Sequence, residues 1–260
     1  MSGRQTIGSF LTGMALLLGA PALSAGQDRS LALPPAATVL TLSGLNFNFT
    51  NYMPRQFGGV FARPPYGLRQ VCYPASLAPH SIAHGVAALD AAVRATAGPV
   101  IVLAHSQGAQ VASHWMREHA NDTGAPSGDR LVFLLTGNPL RAEGGYAIGR
   151  REVGGTIGQP TPAASRWRVI DVARRFDGWA DWPADTRNRR AVDAARAGMM
   201  RRHAHYDEVD LFDPSHTVWT RGTTTFVLTR ETLPPRAGSS ADAAEVERAF
   251  RRPPNEPQPR

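Results

Sequence analysis

Residues 99–109 read Pro99-Val100-Ile101-Val102-Leu103-Ala104-His105-Ser106-Gln107-Gly108-Ala109. The first half is a continuous apolar run, which is typical of a strand buried on both faces of a parallel sheet. A helix-forming run begins at Ala109, so Ser106 falls on a strand-to-helix corner. The residues two before and two after a serine at such a corner must be small because the chain folds back on itself, and Ala104 and Gly108 are small. Ser106 is therefore either an exposed nucleophile or the cap of the following helix.

Apolar, strand-like runs alternate with helical periodicities on both sides of this corner. The predicted strands are Ala37–Leu42, Val71–Tyr73, Val100–Leu103, Arg130–Leu135 and Trp167–Ala173. The predicted helices are Ser81–Ala97, Val111–His119 and Arg190–Met200, and Thr217–Arg230 reads as a hairpin around Arg221-Gly222. This alternation predicts a single α/β domain with a mostly parallel, doubly wound sheet flanked by helices.

The two ends of the chain differ from the middle in composition. Residues 1–25 combine an early Arg4, an apolar stretch and small residues up to Ala25, which predicts a secretory signal peptide, with an uncleaved anchor as the alternative. Residues 26–36 are predicted to be a linker and 37–235 the folded domain. The Pro/Arg/Ala-rich residues 236–260 cannot bury a core of their own and are predicted to be disordered. We therefore expect a secreted, periplasmic or cell-envelope protein.

The net charge of +7 comes from arginine alone, because the chain contains no lysine. The arginines form scattered pairs and no single stripe with interleaved aromatic residues, so no nucleic-acid partner is expected. A peripheral contact with an anionic cell envelope stays open, and no oligomeric state is indicated. Cys72 is the only cysteine, lies in a strand-like run and is predicted to be a buried, inert thiol.

The segment Asn46–Gln70 is unusually rich in aromatic residues for a connection between strands. Two interpretations are open: a flap over a pocket, or an irregular segment of the core.

Further along the chain lie the groups that a serine nucleophile requires. A serine hydroxyl reacts only when a neighbouring base removes its proton, and an acid must orient that base. In doubly wound hydrolases the order along the chain is serine, acid, histidine. Asp177 and Asp181 follow a predicted strand, and His203 follows a predicted helix. The alternatives are that the aspartates stabilise turns, and that His203 and His205 bind a metal ion. Neither cysteine nor clustered carboxylates complete such a set, so no metal and no cofactor is predicted.

An oxyanion formed at Ser106 would need hydrogen-bond donors from the backbone. We expect these donors to be the N–H of Gln107, directly after the serine, and the N–H of Leu45, in the loop after the first strand. Gly44 would allow that loop to approach closely.

Several further motifs stand in order between about Val39 and Leu233. They are Tyr73-Pro74-Ala75, His105-Ser106-Gln107-Gly108-Ala109, Gly137-Asn138-Pro139 with Gly144-Gly145 and Arg150, Asp177 to Pro183, His203-x-x-Tyr206, and Gly222-Thr223-Thr224-Thr225-Phe226 leading to Leu233-Pro234. On these motifs the chain resembles the PE-PPE serine hydrolase domain, which is related to cutinases within the α/β-hydrolase fold.

The resemblance implies an esterase or lipase-type hydrolase that cleaves carboxylic esters of small molecules or lipids. Ser106 would be the nucleophile and His203, as the histidine of His-x-x-Tyr, the base. Asp181 is the expected acid because it precedes a hydrophobic residue and a proline, and Asp177 is the rival. An acyltransferase that uses the same acyl-enzyme is the alternative, and a non-catalytic surface or binding protein is a third.

Two departures from the family pattern concern the site. Ala104 replaces the usual first glycine of the corner, and Leu45 stands where cutinase-like proteins tend to place threonine or serine. The resemblance therefore predicts that this half of the oxyanion hole has backbone donors only.

Overall fold

The computed structural model describes residues 31–47, 49–233 and 240–251. The strands are β1 Ala37–Leu42, β2 Tyr66–Gln70, β3 Val100–His105, β4 Leu131–Thr136, β5 Arg168–Ala173, β6 Thr217–Arg221 and β7 Thr224–Leu228. The α-helices are α1 Ser81–Arg94, α2 Gln107–Glu118, α3 Arg189–Arg201 and α4 Ser240–Phe250. Short 3₁₀ segments lie at Met53–Ala62 and Tyr206–Glu208.

The described strands form one seven-stranded sheet in the order β2-β1-β3-β4-β5-β7-β6. Strands β1 to β5 and β7 pair in parallel, and β6 pairs antiparallel with β7. The predicted doubly wound α/β sheet and the terminal hairpin are confirmed. The fold is that of an α/β hydrolase, and the carboxyl ends of β1, β3, β4 and β5 meet at one edge of the sheet.

Central strand β3 is buried along its whole length, and its alternate residues face two different cores. Val100 and Val102 lie in the core that includes residues of α1 and α2. Ile101 and Leu103 lie in the core of the opposite face, which is covered by the 3₁₀ segment Met53–Ala62. The uninterrupted apolar sequence of β3 follows from this coverage on both faces.

The edge strand β2 begins earlier in the chain than expected. It spans Tyr66–Gln70, and the predicted strand Val71–Tyr73 lies just beyond its end. Val71 and Tyr73 are buried, whereas the side chain between them, Cys72, is exposed. The prediction of a buried thiol was wrong because neighbouring side chains of extended backbone point in opposite directions.

Much of the aromatic segment Asn46–Gln70 is an irregular part of the core. Met53, Phe57 and Phe61 are buried against the sheet, whereas Phe47 and Phe49 are exposed. Leu31 and Leu33, within the predicted linker, also pack against this core. The described residues contain no helix that is both long enough and apolar enough to cross a membrane.

The prediction of a disordered tail over 236–260 was wrong for the residues that form α4. Val246, Ala249 and Phe250 are buried in a small core with Phe176 and α3. This segment has too little apolar surface for a core of its own, but it completes one that the domain supplies. Residues 236–239 and 252–260 of the predicted tail and the predicted signal peptide, residues 1–25, lie outside the described residues.

Candidate active site

Ser106 occupies the turn between β3 and α2 in a backbone conformation that is rare for a side-chain-bearing residue. Its φ and ψ are 56° and −117°, a strained region that costs on the order of 1–3 kcal/mol. A Cβ on Gly108 would lie 2.4 Å from the carbonyl oxygen of Leu42, so this position must be glycine. The Ser106 side chain makes no capping hydrogen bond to α2. The geometry is that of a half-buried serine on a tight corner, and the capping interpretation was wrong.

His203 reaches the serine from the end of α3. Its Nε2 lies 2.8 Å from Ser106 Oγ. The backbone N–H of His203 bonds to the Gly198 carbonyl, which anchors the residue to the last turn of the helix. Gly137, with φ 53°, allows the ring to approach, because a Cβ there would lie 2.8 Å from His203 Cε1.

The partner of His203 on its other ring nitrogen is Asp177. Nδ1 lies 2.9 Å from Asp177 Oδ2 and 3.1 Å from Oδ1. The carboxylate is fully buried and accepts two further hydrogen bonds, from the Tyr206 hydroxyl at 2.8 Å and the Trp179 N–H at 3.1 Å. A carboxylate at Nδ1 holds the proton on that nitrogen and leaves Nε2 free to accept the serine proton.

Asp181, the expected acid, is directed to a different partner. Its oxygens lie 3.3 and 3.4 Å from Nη1 of Arg175, and Oδ2 accepts the Phe176 N–H at 2.8 Å. Arg175 also pairs with Glu247 of α4. Burial raises the pKa of Asp181, and Arg175 partly offsets that effect. Because His203 contacts Asp177 and the Asp181 carboxylate is bound to Arg175 and the Phe176 N–H, the expected partner of His203, Asp181, is corrected to Asp177.

The two residues expected to supply oxyanion donors are Gln107, which directly follows the serine, and Leu45, in the loop after β1. Gln107 is the first residue of α2, where N–H groups lack an intrahelical carbonyl. Its side-chain amide accepts from the Ser81 hydroxyl at 3.0 Å and donates to the Ser76 carbonyl at 2.9 Å. On the β1 side, a Cβ on Gly44 would lie 2.6 Å from Ser106 Cβ, so the loop that carries Leu45 does press against the serine.

Three residues around the site had no assigned part in the chemistry. Tyr206 closes the His-x-x-Tyr motif and contacts Asp177, so the motif itself was the signal for its role. The buried ring of His105 lies 4.7 Å from that of His203, centroid to centroid. Burial, reinforced by neighbouring His203, lowers the pKa of His105 well below its usual range, so it packs there as a neutral ring. Tyr52, from the aromatic segment, contacts Gly44, and no sequence signal marked it.

Exposed apolar side chains surround this edge of the sheet. Leu45 and Phe47 follow Gly44, and the Trp179 ring lies 6.0 Å from the His203 ring. The Phe47 N–H bonds to the carbonyl of Ala75, and Leu77, two residues further along the chain, is also exposed. Among the described residues no group of three or more His, Cys, Asp or Glu side chains could hold a metal ion. Both ring nitrogens of His203 are already engaged, by Ser106 and by Asp177. The arrangement can pass a proton from a serine hydroxyl to an oriented imidazole.

Comparison with known proteins gives this geometry a family context. The family model described as the PE-PPE domain matches residues 67–235. SL1278 acyltransferase Chp1 of Mycobacterium tuberculosis is 28% identical over 76% of this chain, and Esterase PE16 of the same species is 32% identical over 60%. The matches cover 57% and 29% of those two relatives.

A solved structure, of a cutinase-like protein from Cryptococcus sp., aligns with a TM-score of 0.36 at 19% identity, covering 56% of this chain and 80% of that one. The family match alone covers well over half of the chain, in the region that holds Ser106, Asp177 and His203. This chain belongs to the PE-PPE domain family.

Proposed function

We propose that this protein is a serine hydrolase that cleaves carboxylic esters through Ser106, His203 and Asp177. One observation carries the proposal: a continuous chain of contacts from Ser106 Oγ to His203 Nε2, and from His203 Nδ1 to the buried Asp177 carboxylate. The strained corner presents the serine as a nucleophile, and the contacts supply a base and an acid that orients it. These are the groups that acyl transfer needs.

The reaction would proceed in two half-reactions. Ser106 Oγ attacks the acyl carbonyl carbon while His203 Nε2 takes the hydroxyl proton, and the carbonyl electron pair moves onto oxygen. The tetrahedral species collapses, the C–O bond to the alcohol breaks, and His203 returns its proton to the leaving alkoxide. Water then attacks the acyl-enzyme with His203 as base, which releases the carboxylic acid and restores Ser106.

The ester as substrate class is supported by the family context, since one matched relative is named an esterase. Leu45, Phe47 and Trp179, exposed around the serine, would favour an apolar acyl group. The intact contacts between the three reacting groups argue against a purely structural or binding role.

The test is an assay of the purified full chain with p-nitrophenyl esters of increasing acyl length. Ser106→Ala should lower kcat by about 10⁶-fold or abolish turnover, because no other described group lies where it could attack. A fluorophosphonate probe should label the wild-type protein and not the variant. Equal activity of the two proteins, or an unlabelled wild type, would contradict the proposal.

An acyltransferase is the second candidate, favoured by the relative named an acyltransferase. The acyl-enzyme would be the same, and an alcohol would take the place of water in the second half-reaction. Adding alcohols or sugars during ester turnover and separating the products by mass spectrometry decides between the two. Acylated acceptor in excess over free acid supports the transferase, and free acid alone supports the hydrolase.

Export to the cell envelope or medium is proposed on the composition of residues 1–25. Expression of the full chain in a native-like host, followed by N-terminal sequencing of the mature protein, tests this. Cleavage after Ser24 or Ala25 is the expected result, and an intact, intracellular chain would contradict it.

A further inference from the structure

The oxyanion of the proposed reaction needs more than one hydrogen-bond donor, and the β1 side of the site has an unexpected arrangement. The Gly44 N–H does not point to the reacting centre, because it donates to the Tyr52 hydroxyl at 2.5 Å. Leu45 has no hydroxyl to offer. In this half of the site a side-chain hydroxyl, in addition to the expected Leu45 N–H, therefore has to come from a residue elsewhere in the chain.

The Tyr52 hydroxyl and the reacting serine both lie against Gly44. A Cβ on Gly44 would lie 2.6 Å from Ser106 Cβ and 2.9 Å from Tyr52 Oη, so both groups border the same side of Gly44. The Tyr52 ring packs edge-on against His105, the residue before the serine, with 5.6 Å between centroids. Its chain neighbour Met53 is buried in the core, which holds the ring in place.

The hydrogen bonding leaves this hydroxyl with a proton to donate. A phenol has one O–H donor and can also accept. Gly44 uses the acceptor capacity, and no described residue accepts the Tyr52 proton. Burial raises the pKa of Tyr52 to about 12, so the group stays a neutral donor at working pH.

We infer that Tyr52 is a further catalytic residue, whose hydroxyl donates a hydrogen bond to the oxyanion formed when Ser106 attacks the acyl carbonyl. The bond supplements the backbone N–H of Gln107 and takes the place of the side-chain hydroxyl that Leu45 lacks. No proton is transferred to the oxyanion. Its charge is stabilised while the C–Oγ bond forms, and its electron pair re-forms the C=O double bond when the C–O bond to the alcohol breaks. This inference rests on the proposed hydrolase function.

The first experiment compares Tyr52→Phe with wild type on a p-nitrophenyl ester. Loss of an oxyanion donor acts on the transition state, so kcat should fall by about 10²-fold with KM little changed. Tyr73→Phe is the matched control, because the hydroxyl of the buried Tyr73 also bonds to the β1 loop, by donating to the Ser43 carbonyl at 2.5 Å. Its kcat should stay close to that of wild type.

Each outcome has a distinct meaning. An inactive wild type, or a wild type no faster than Ser106→Ala, removes the proposed function before Tyr52 is considered. An active wild type with an equally active Tyr52→Phe variant overturns the role of Tyr52 alone. Equal losses in Tyr52→Phe and Tyr73→Phe would show that the tyrosines only hold the loop, which also overturns it.

A second measurement covers the case in which Tyr52→Phe does not fold. Replacing Tyr52 with difluorotyrosine keeps the ring and the hydroxyl but lowers the pKa of the phenol. The ionised form cannot donate, so kcat should fall as pH rises through the lowered pKa, in a range where wild type keeps its activity. Identical alkaline pH profiles for the two proteins would overturn the inference.

Discussion

Asp177 and Asp181 stand four residues apart in one loop, both are buried, and they have different surroundings. Asp177 accepts from His203 and from the Tyr206 hydroxyl, and so faces the serine. Asp181 pairs with Arg175, which in turn pairs with Glu247 of α4. The role of each buried carboxylate therefore depends on which hydrogen-bond donor the fold places beside it. One end of the loop contacts the proposed base His203, and the other joins the loop to the C-terminal helix.

The different roles of Asp177 and Asp181 are tested most directly by replacing each carboxylate with an amide in turn. Asp177→Asn should lower kcat on the order of 10³–10⁴-fold, because the amide no longer holds the proton of His203 on Nδ1 or stabilises the imidazolium. Asp181→Asn is the matched control and should lower kcat by less than about tenfold, since it makes no contact with His203. Steady-state kinetics with a p-nitrophenyl ester measures both, and a larger loss at Asp181 would restore the original assignment.

The contacts between this loop and α4 should affect the free energy of unfolding more than they affect kcat. Phe250→Ala removes a buried ring that packs edge-on against Phe176, with 5.1 Å between centroids. A cavity of this kind costs about 3 kcal/mol in the free energy of unfolding. Urea unfolding measures it, with Phe212→Ala as the control because Phe212 is 43% exposed. A loss of kcat as large as that of Asp177→Asn would show that the two ends of the loop are not separate.

The hydrogen bond from the Tyr206 hydroxyl to Asp177 provides a second test of the role of Asp177. Tyr206→Phe removes one hydrogen bond to the buried Asp177 carboxylate and should lower kcat by about tenfold. Addition of Asp177→Asn to this variant should then cost less than in wild type, because the two residues act through one group. Tyr66→Phe, which loses a hydrogen bond to the Pro34 carbonyl far from the serine, is the control. Fully additive losses would contradict the positioning role of Tyr206.

The smallest expected effect is on the pH dependence of stability. Burial raises the pKa of Asp181, so just above its ordinary value the folded chain keeps a proton that the unfolded chain has released. The free energy of unfolding should therefore fall as pH rises through that window, which begins at about pH 4. Asp181→Asn lacks the titrating group and should show a weaker fall in urea unfolding across the same range. Equal slopes for the two proteins would argue against a raised pKa.

Much of the fold and part of the site could be predicted from local sequence. The parallel strands and the helices between them could be predicted because the burial of each element leaves a local pattern of apolar residues in its own sequence. The serine corner was found because small residues at Ala104 and Gly108 are a local steric requirement. The α4 helix was missed because its apolar residues become a core only beside Phe176 and α3. Cys72 was misplaced because its exposure depends on where β2 ends.

Local sequence was enough to predict the parallel sheet apart from the bounds of β2, the corner that carries Ser106, and a histidine and two candidate acids downstream. The contact of Asp177 with His203, and the position of the Tyr52 hydroxyl against Gly44, became visible only in the folded chain. The difference comes from how far apart along the chain the interacting residues are. A turn or a strand depends on neighbouring residues. The contact between Ser106 and His203 joins groups 97 residues apart, and so it depends on how the loops pack around the finished sheet.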